Sequence, residues 1–155
     1  MIIDFQHHFT PPSLLASPKV QGMAINKSGA SVPKYYVPPA LTNLPEQVRA
    51  MDYAGIDAAV LTCGLGMDGT DVEICRMVNA ELAEAIVPHA RRFHMLAHAP
   101  ALGGDAAFAE IERCVRDYGT PGIVTTSEID GQPLHSPELD PYWALCEGLR
   151  LYVFL

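Results

Sequence analysis

Residues 45–62, PEQVRAMDYAGIDAAVLT, place a proline near the front of an amphipathic run, a glycine at its end, and an unbroken apolar segment soon after it. A proline is tolerated in the first turn of a helix, where its missing N–H is not needed, and a glycine ends a helix by taking the left-handed conformation. The stretch therefore predicts a helix over Pro45 to Ala54, stopped by Gly55, and a buried strand over Ala58 to Thr62. The same unit recurs downstream. Thr70 or Asp71 can cap a helix running to about Pro88, with Val72, Cys75, Val78, Leu82 and Ile86 at three- and four-residue spacing, and Phe93 to Ala97 follows as a strand. Asp105 begins another helix with Phe108, Ile111 and Val115 on one face, ended near Gly119, and Gly122 to Thr126 makes the next strand. Ser136-Pro137-Glu138 opens a last helix containing Trp143, Leu145 and Leu149, and Leu151 to Leu155 reads as a strand.

Upstream, Ile2 to Phe5 is a short apolar run that enters the polar cluster Gln6-His7-His8, and the first strand is placed there. Five strands and four intervening helices alternate, which is the pattern of a parallel sheet covered by helices. Two architectures satisfy it: a doubly wound open sheet, and part of a (β/α)8 barrel, which needs eight strands and typically about 250 residues. The length of 155 residues, taken alone, favours the open sheet. Between Thr10 and Pro45 periodicity is lost in favour of Pro, Ser, Gly and Lys, including Lys27-Ser28-Gly29 and Tyr35-Tyr36-Val37-Pro38-Pro39. A loop of this length is read as a lid or a partner-contacting excursion.

With 49% apolar residues the chain can bury one core. Eighteen acidic against 10 basic residues give a net charge of -8, which repels nucleic acid phosphates and anionic lipid alike. No stretch reaches the ~20 apolar residues of a membrane span, and MIIDFQHHF has no basic leader. The four cysteines, Cys63, Cys75, Cys114 and Cys146, are too dispersed for a metal knuckle and are expected as buried thiols. A soluble cytoplasmic protein with no nucleic acid or membrane partner is the expectation.

The densest set of ligand-type residues is Asp4-Phe5-Gln6-His7-His8. Side chains two apart on a strand share a face, so Gln6 and His8 are expected to point together, with Asp4 beneath them and His7 turned toward the helices. At the mouth of a barrel, Gln6 and His8 would offer an amide oxygen and an imidazole nitrogen to a divalent metal. His98, after the third strand, could reach the same mouth, although a backbone-bonded loop histidine is the commoner situation. Glu128, after the fourth strand, is rim-facing by position and is otherwise a solvated carboxylate. His89 suits a helix C-terminus, and His94 and His135 have no partner visible in the sequence. GxGxxG, GxxxxGK[ST] and GxSxG are all absent, and Cys63-Gly64-Leu65-Gly66 imitates a nucleotide-binding turn only loosely.

Taken in order, several stretches resemble the amidohydrolase-2 branch of the amidohydrolase superfamily, which includes decarboxylases of aminocarboxymuconate semialdehyde and of resorcylate. They are Ile3-Asp4 through His8 with Pro11, then Met51 to Asp57, Asn79 with His89 and Arg92-Phe93, Gly119 to Gly122, Gly131 with Leu134, and Pro141 to Trp143. The resemblance implies that residues 1–155 are the N-terminal part of a (β/α)8 barrel domain with about five parallel strands. It also implies a divalent metal, usually zinc with manganese as the alternative, at the C-terminal strand ends, and a small carboxylic acid or lactone-like substrate that is hydrolysed or decarboxylated. His8 matches the second histidine of the family's first-strand His-x-His pair, whereas Gln6 stands where the first would be, and an amide is a poorer ligand than imidazole.

Val153-Phe154-Leu155 resembles the family's fifth strand, behind which a metal-binding histidine is expected. The chain is accordingly expected to be an incomplete catalytic domain, inactive alone and without bound metal if its ligands are too few. The alternative is a non-catalytic fragment that acts as a partner-binding or homo-oligomeric module, since open barrel edges invite pairing. Sequential strand order would mark a barrel, and a reversal would mark the doubly wound sheet.

Overall fold

A computed structural model describes residues 1–17, 37–64 and 71–155. The Lys27-Ser28-Gly29 and Tyr35-Tyr36 portions of the predicted excursion, and Leu65-Gly66 of the glycine turn, lie outside the described residues.

Strands β1 (Ile3–His8), β2 (Ala58–Thr62) and β3 (Phe93–Met95) form a parallel sheet in that order. Strands β4 (Gly122–Val124) and β7 (Tyr152–Phe154) are likewise parallel, and a bridge between Ala97 and Ile123 ties β4 to the end of β3. The five parallel strands thus follow one another as sequential neighbours, and no reversal marks a doubly wound sheet among the described residues. The ribbon also curls. Adjacent strands lie about 4.8 Å apart, so the first and fifth of a flat sheet would be separated by about 19 Å. Yet the rings of Phe5 on β1 and Phe154 on β7 have centroids 6.4 Å apart.

The helices follow the local signals. Helix α2 (Leu44–Ala54) is capped by the Asn43 side chain, which accepts from the Glu46 N–H, and ends at Gly55 with φ 71°. Helix α3 (Val72–Ile86) is capped by Asp71, which accepts from the Glu73 N–H. Helix α4 (Gly104–Tyr118) ends at Gly119 with φ 64°, and α5 (Asp140–Gly148) follows a single 3-10 turn, Pro137–Leu139. Their apolar faces cover the sheet in two clusters. Leu14, Met51, Val78, Leu82, Leu61 and Phe93 centre the first, and Ile111, Ile123, Leu139 and Tyr142 the second, with Tyr118 packed against both.

Three expectations need correction. The run after Thr10 is not wholly irregular: α1 (Pro12–Ala16) buries Leu14 completely, and a 3-10 turn at Pro39–Thr42 returns beside it, where the Thr10 N–H donates to Leu41 O. The segment behind the fourth strand, where no strand is expected, is an antiparallel hairpin, β5 (Glu128–Ile129) and β6 (Gln132–Pro133). Its turn residues Asp130 and Gly131 have φ 49° and 77°, the two positive values that a type I′ hairpin requires. Lastly, Asp4 does not lie beneath Gln6 and His8. β1 pairs Asp4 with Ala59 but His7 with Leu61, so the segment carries one residue more than its partner between these positions. This bulge interrupts the alternation and puts Asp4 against His7, whose Nδ1 is 2.8 Å from the Asp4 carboxylate.

At the N-terminal ends of the strands the chain is clamped by charge. Arg92 donates to the carbonyls of Asp57 and Ile56 at 2.8 and 2.9 Å and to the Asp52 carboxylate at 2.6 Å. Asp57 in turn accepts from the Ile2 N–H at 2.6 Å. One arginine therefore joins the entries to β2 and β3, and one aspartate the entries to β1 and β2.

Candidate metal centre

The C-terminal ends of β1 and β2 and the segment after β3 converge on two imidazoles. His8, the last residue of β1, pairs with Thr62, the last of β2, and the two side chains meet: His8 Nδ1 lies 2.9 Å from Thr62 Oγ1. The next residue of the β2 strand end, Cys63, donates its backbone N–H to His98 Nε2 at 3.0 Å. Gly64 packs on the His8 ring, where a Cβ would sit 3.3 Å from Cγ, so a glycine allows this close approach.

His98 is fully buried, and its position is set by its backbone. Asn79 on α3 accepts from the His98 N–H at 2.8 Å and donates to the His98 carbonyl at 2.8 Å. The same amide donates to Glu110 on α4 at 2.8 Å, and Glu110 is paired with Arg113 at 2.7 Å. Burial would raise the pKa of Glu110, but its bonds from Arg113, Asn79 and Cys114 outweigh that and hold it below the ordinary carboxylate range. Helices α3 and α4 thereby lock the loop that carries His98.

The protonation of His98 follows from its partners. Burial drives its pKa down to about 4, so the ring is neutral near pH 7. Nε2 accepts from the Cys63 N–H, which leaves the proton on Nδ1, a buried atom with no hydrogen-bond partner among the described residues. A buried neutral imidazole, whose charged form is disfavoured by its surroundings, is not suited to carrying charge.

The predicted residues are distributed as follows. His8 and His98 come together at the strand ends, while His7 faces Phe93 in the helix-covered core, with ring centroids 5.9 Å apart. Gln6 is exposed on β1 within the bulged segment. Glu128 is exposed on the hairpin, where its carbonyl accepts from Thr126 Oγ1. Thr62 and Asn79 were not singled out as site residues by their types, and their signal is positional: Thr62 closes a buried strand, and Asn79 is a polar residue on an otherwise apolar helix face. All four cysteines are buried and outside disulfides.

The residues present fit part of a divalent-metal site. The fit rests on His8, whose Nδ1 is engaged by Thr62, leaving Nε2 for a ligand. Gln6 could add only an amide oxygen, and the described residues gather no group of three or more His, Cys, Asp or Glu that could hold a metal ion. A catalytic zinc site normally takes three protein ligands. No helix among the described residues is long and apolar enough to cross a membrane.

Comparison with known proteins places this arrangement in context. The chain is 31% identical over 121 residues to a gamma-resorcylate decarboxylase from Rhizobium sp., an alignment covering 70% of this chain and 37% of that protein. The crystal structure of 2,6-dihydroxybenzoate decarboxylase from Rhizobium matches with a TM-score of 0.76 at 26% identity, over 99% of this chain and 49% of that one. A dihydroxybenzoic acid decarboxylase from Polaromonas sp., solved with bound manganese and 2-nitroresorcinol, shares the fold with a TM-score of 0.75 at 23% identity, over 99% of this chain and 48% of that one. The chain thus spans about half the length of these structures. A family model described as Amidohydrolase matches residues 3–155, and the chain belongs to the amidohydrolase family.

Proposed function

We propose that the chain forms the N-terminal part of a (β/α)8 barrel that decarboxylates a small hydroxylated aromatic acid with the help of a divalent metal. In this reading residues 1–155 contribute five of the barrel's strands, and residues 10–45 form a lid or a partner contact over its mouth. The observation that carries the proposal is the convergence of His8 and His98 at the C-terminal strand ends, the face where such barrels do their chemistry. The sequence relatives that decarboxylate dihydroxybenzoates favour decarboxylation over hydrolysis. Manganese, named in the Polaromonas structure, is favoured over the zinc that the resemblance puts first.

In the proposed site, His8 through Nε2 and Gln6 through its amide oxygen would hold the metal, together with ligands that the described residues do not supply. The metal would polarise the acid substrate as a Lewis acid. His98, neutral and buried behind the strand ends, would back the site without adding a charge to it. Glu128, exposed on the hairpin, is at most a rim residue. Exposed apolar side chains on the outer strands, Ile3 and Phe5 on β1 and Tyr152 on β7, mark a surface that further barrel strands would cover.

Titration calorimetry of the chain with Mn²⁺ and Zn²⁺ tests the metal. Weak binding is expected, abolished in His8→Ala, and strengthened at least about tenfold in Gln6→His because imidazole is the better donor. Binding that is indifferent to His8→Ala would remove the proposed site. The exposed apolar surface also favours a second reading, a non-catalytic module that buries this face against a copy of itself. Light scattering separates the two, since that module requires a dimer.

A further inference from the structure

The strand-end pair of His8 and Thr62 carries more than the location of a site. An imidazole has two nitrogens, and which one can bind a metal is decided by what the other is doing. Here Nδ1 of His8 lies 2.9 Å from the Thr62 hydroxyl oxygen. Thr62 is 2% exposed and has a short β-branched side chain with a restricted χ1, so its hydroxyl is a fixed partner and not a mobile one. The opposite side of the arrangement is closed as well, because Gly64 lies against the His8 ring and a Cβ there would come within 3.3 Å of Cγ. The ring is therefore gripped at Nδ1 and on one side, and Nε2 is its remaining nitrogen.

We propose that Thr62 is a positioning residue. Its hydroxyl oxygen accepts the Nδ1–H of His8, which sets the imidazole in the Nδ1-protonated tautomer and leaves the Nε2 lone pair for a divalent cation. This rests on the metal-site reading above but concerns a residue that reading does not use. The neighbouring His98 receives the same tautomer by a different device, the Cys63 N–H donating to its Nε2. Two successive residues at the end of β2 thus orient two histidines, one through a side chain and the other through the backbone, and only the first depends on the residue's side-chain chemistry.

The experiment is two-bond ¹H–¹⁵N correlation NMR of the histidine rings of the full chain, at a pH above the ordinary histidine range, for wild type, Thr62→Val and Thr62→Ser. Each protein is recorded free and with Zn²⁺, which is diamagnetic. In the free wild type the His8 ring should read Nδ1-protonated. Thr62→Val, which keeps the branched shape, should shift it toward Nε2-protonated, and Thr62→Ser should restore the wild-type pattern. His98 should remain Nδ1-protonated in all three and so reports that the variants are folded. Zinc affinity should fall roughly 10- to 100-fold in Thr62→Val and be kept in Thr62→Ser. A His8 ring whose tautomer is the same in wild type and Thr62→Val would overturn the proposal, as would zinc bound through Nδ1. Should wild type bind no zinc while the tautomer still depends on Thr62, the positioning role stands and the metal reading falls.

Discussion

The two ends of the same three strands are built on opposite principles. Where β1, β2 and β3 begin, Arg92 and Asp57 bind carbonyls, an N–H and the Asp52 carboxylate, using fully charged groups near water. Where they end, the groups are two imidazoles, one of them fully buried and neutral, held by a hydroxyl, a backbone N–H and an amide side chain, with ring positions left over. The difference separates stability from function: the first end can only hold the strands together, whereas the second keeps donor and acceptor capacity unused, the prerequisite for binding something.

The contrast can be broken most severely at Asn79. Asn79→Ala removes both bonds to the His98 backbone and one to Glu110, leaving buried groups unpaired, and should cost about 4 kcal/mol in urea unfolding. If the loss were instead that of a surface substitution, the buried clamp would not be what fixes the His98 loop. The next largest effect is on acid stability. Because the folded-state pKa of His98, about 4, lies below its unfolded value of 6.5, the unfolded chain binds a proton between these limits that the folded chain does not. Stability should therefore be whole above pH 6.5 and fall by about 3 kcal/mol on the way down to pH 4. His98→Gln should flatten that window. Asp4, lowered chiefly by its bond from His7, and Glu110 act in a different range, since depressed carboxylate pKa values stabilise above the unfolded carboxylate range and are lost only in stronger acid.

The opposite end of the strands should respond more mildly. Arg92→Ala should cost about 1.5 kcal/mol, because its bonds lie near solvent, and should leave Zn²⁺ affinity unchanged. A change in affinity at that distance would mean that the two ends are coupled and the contrast is false. Smallest of all, Glu128→Gln should alter unfolding by less than about 0.5 kcal/mol and metal binding not at all. A larger effect on binding would return the hairpin to the site.

Much of this architecture was legible without coordinates, and particular residues show why. Gly55 and Gly119 end α2 and α4 where the sequence predicts, because a helix stop depends on one residue's own backbone freedom. Ala58–Thr62 is buried throughout, as an unbroken apolar run in a parallel sheet should be. The hairpin carries a local signal too, Asp130-Gly131, the residue pair that a type I′ turn favours. Asp4 was misplaced because a bulge depends on how β1 meets β2, which period-two counting along one strand cannot register.

What the sequence by itself determined is therefore the alternation of strands and helices, the caps that bound them and the position of Gln6, His8 and His98 near strand ends, all consequences of short-range backbone preference and hydrophobic periodicity. Only the tertiary structure decided that Phe5 meets Phe154 across a curled ribbon, that Thr62 grips His8 and Cys63 grips His98, and that Asn79 ties two helices to one loop. The physical reason is that hydrogen bonds between residues 19 to 54 positions apart depend on strand register and sheet curvature, which the whole chain sets together.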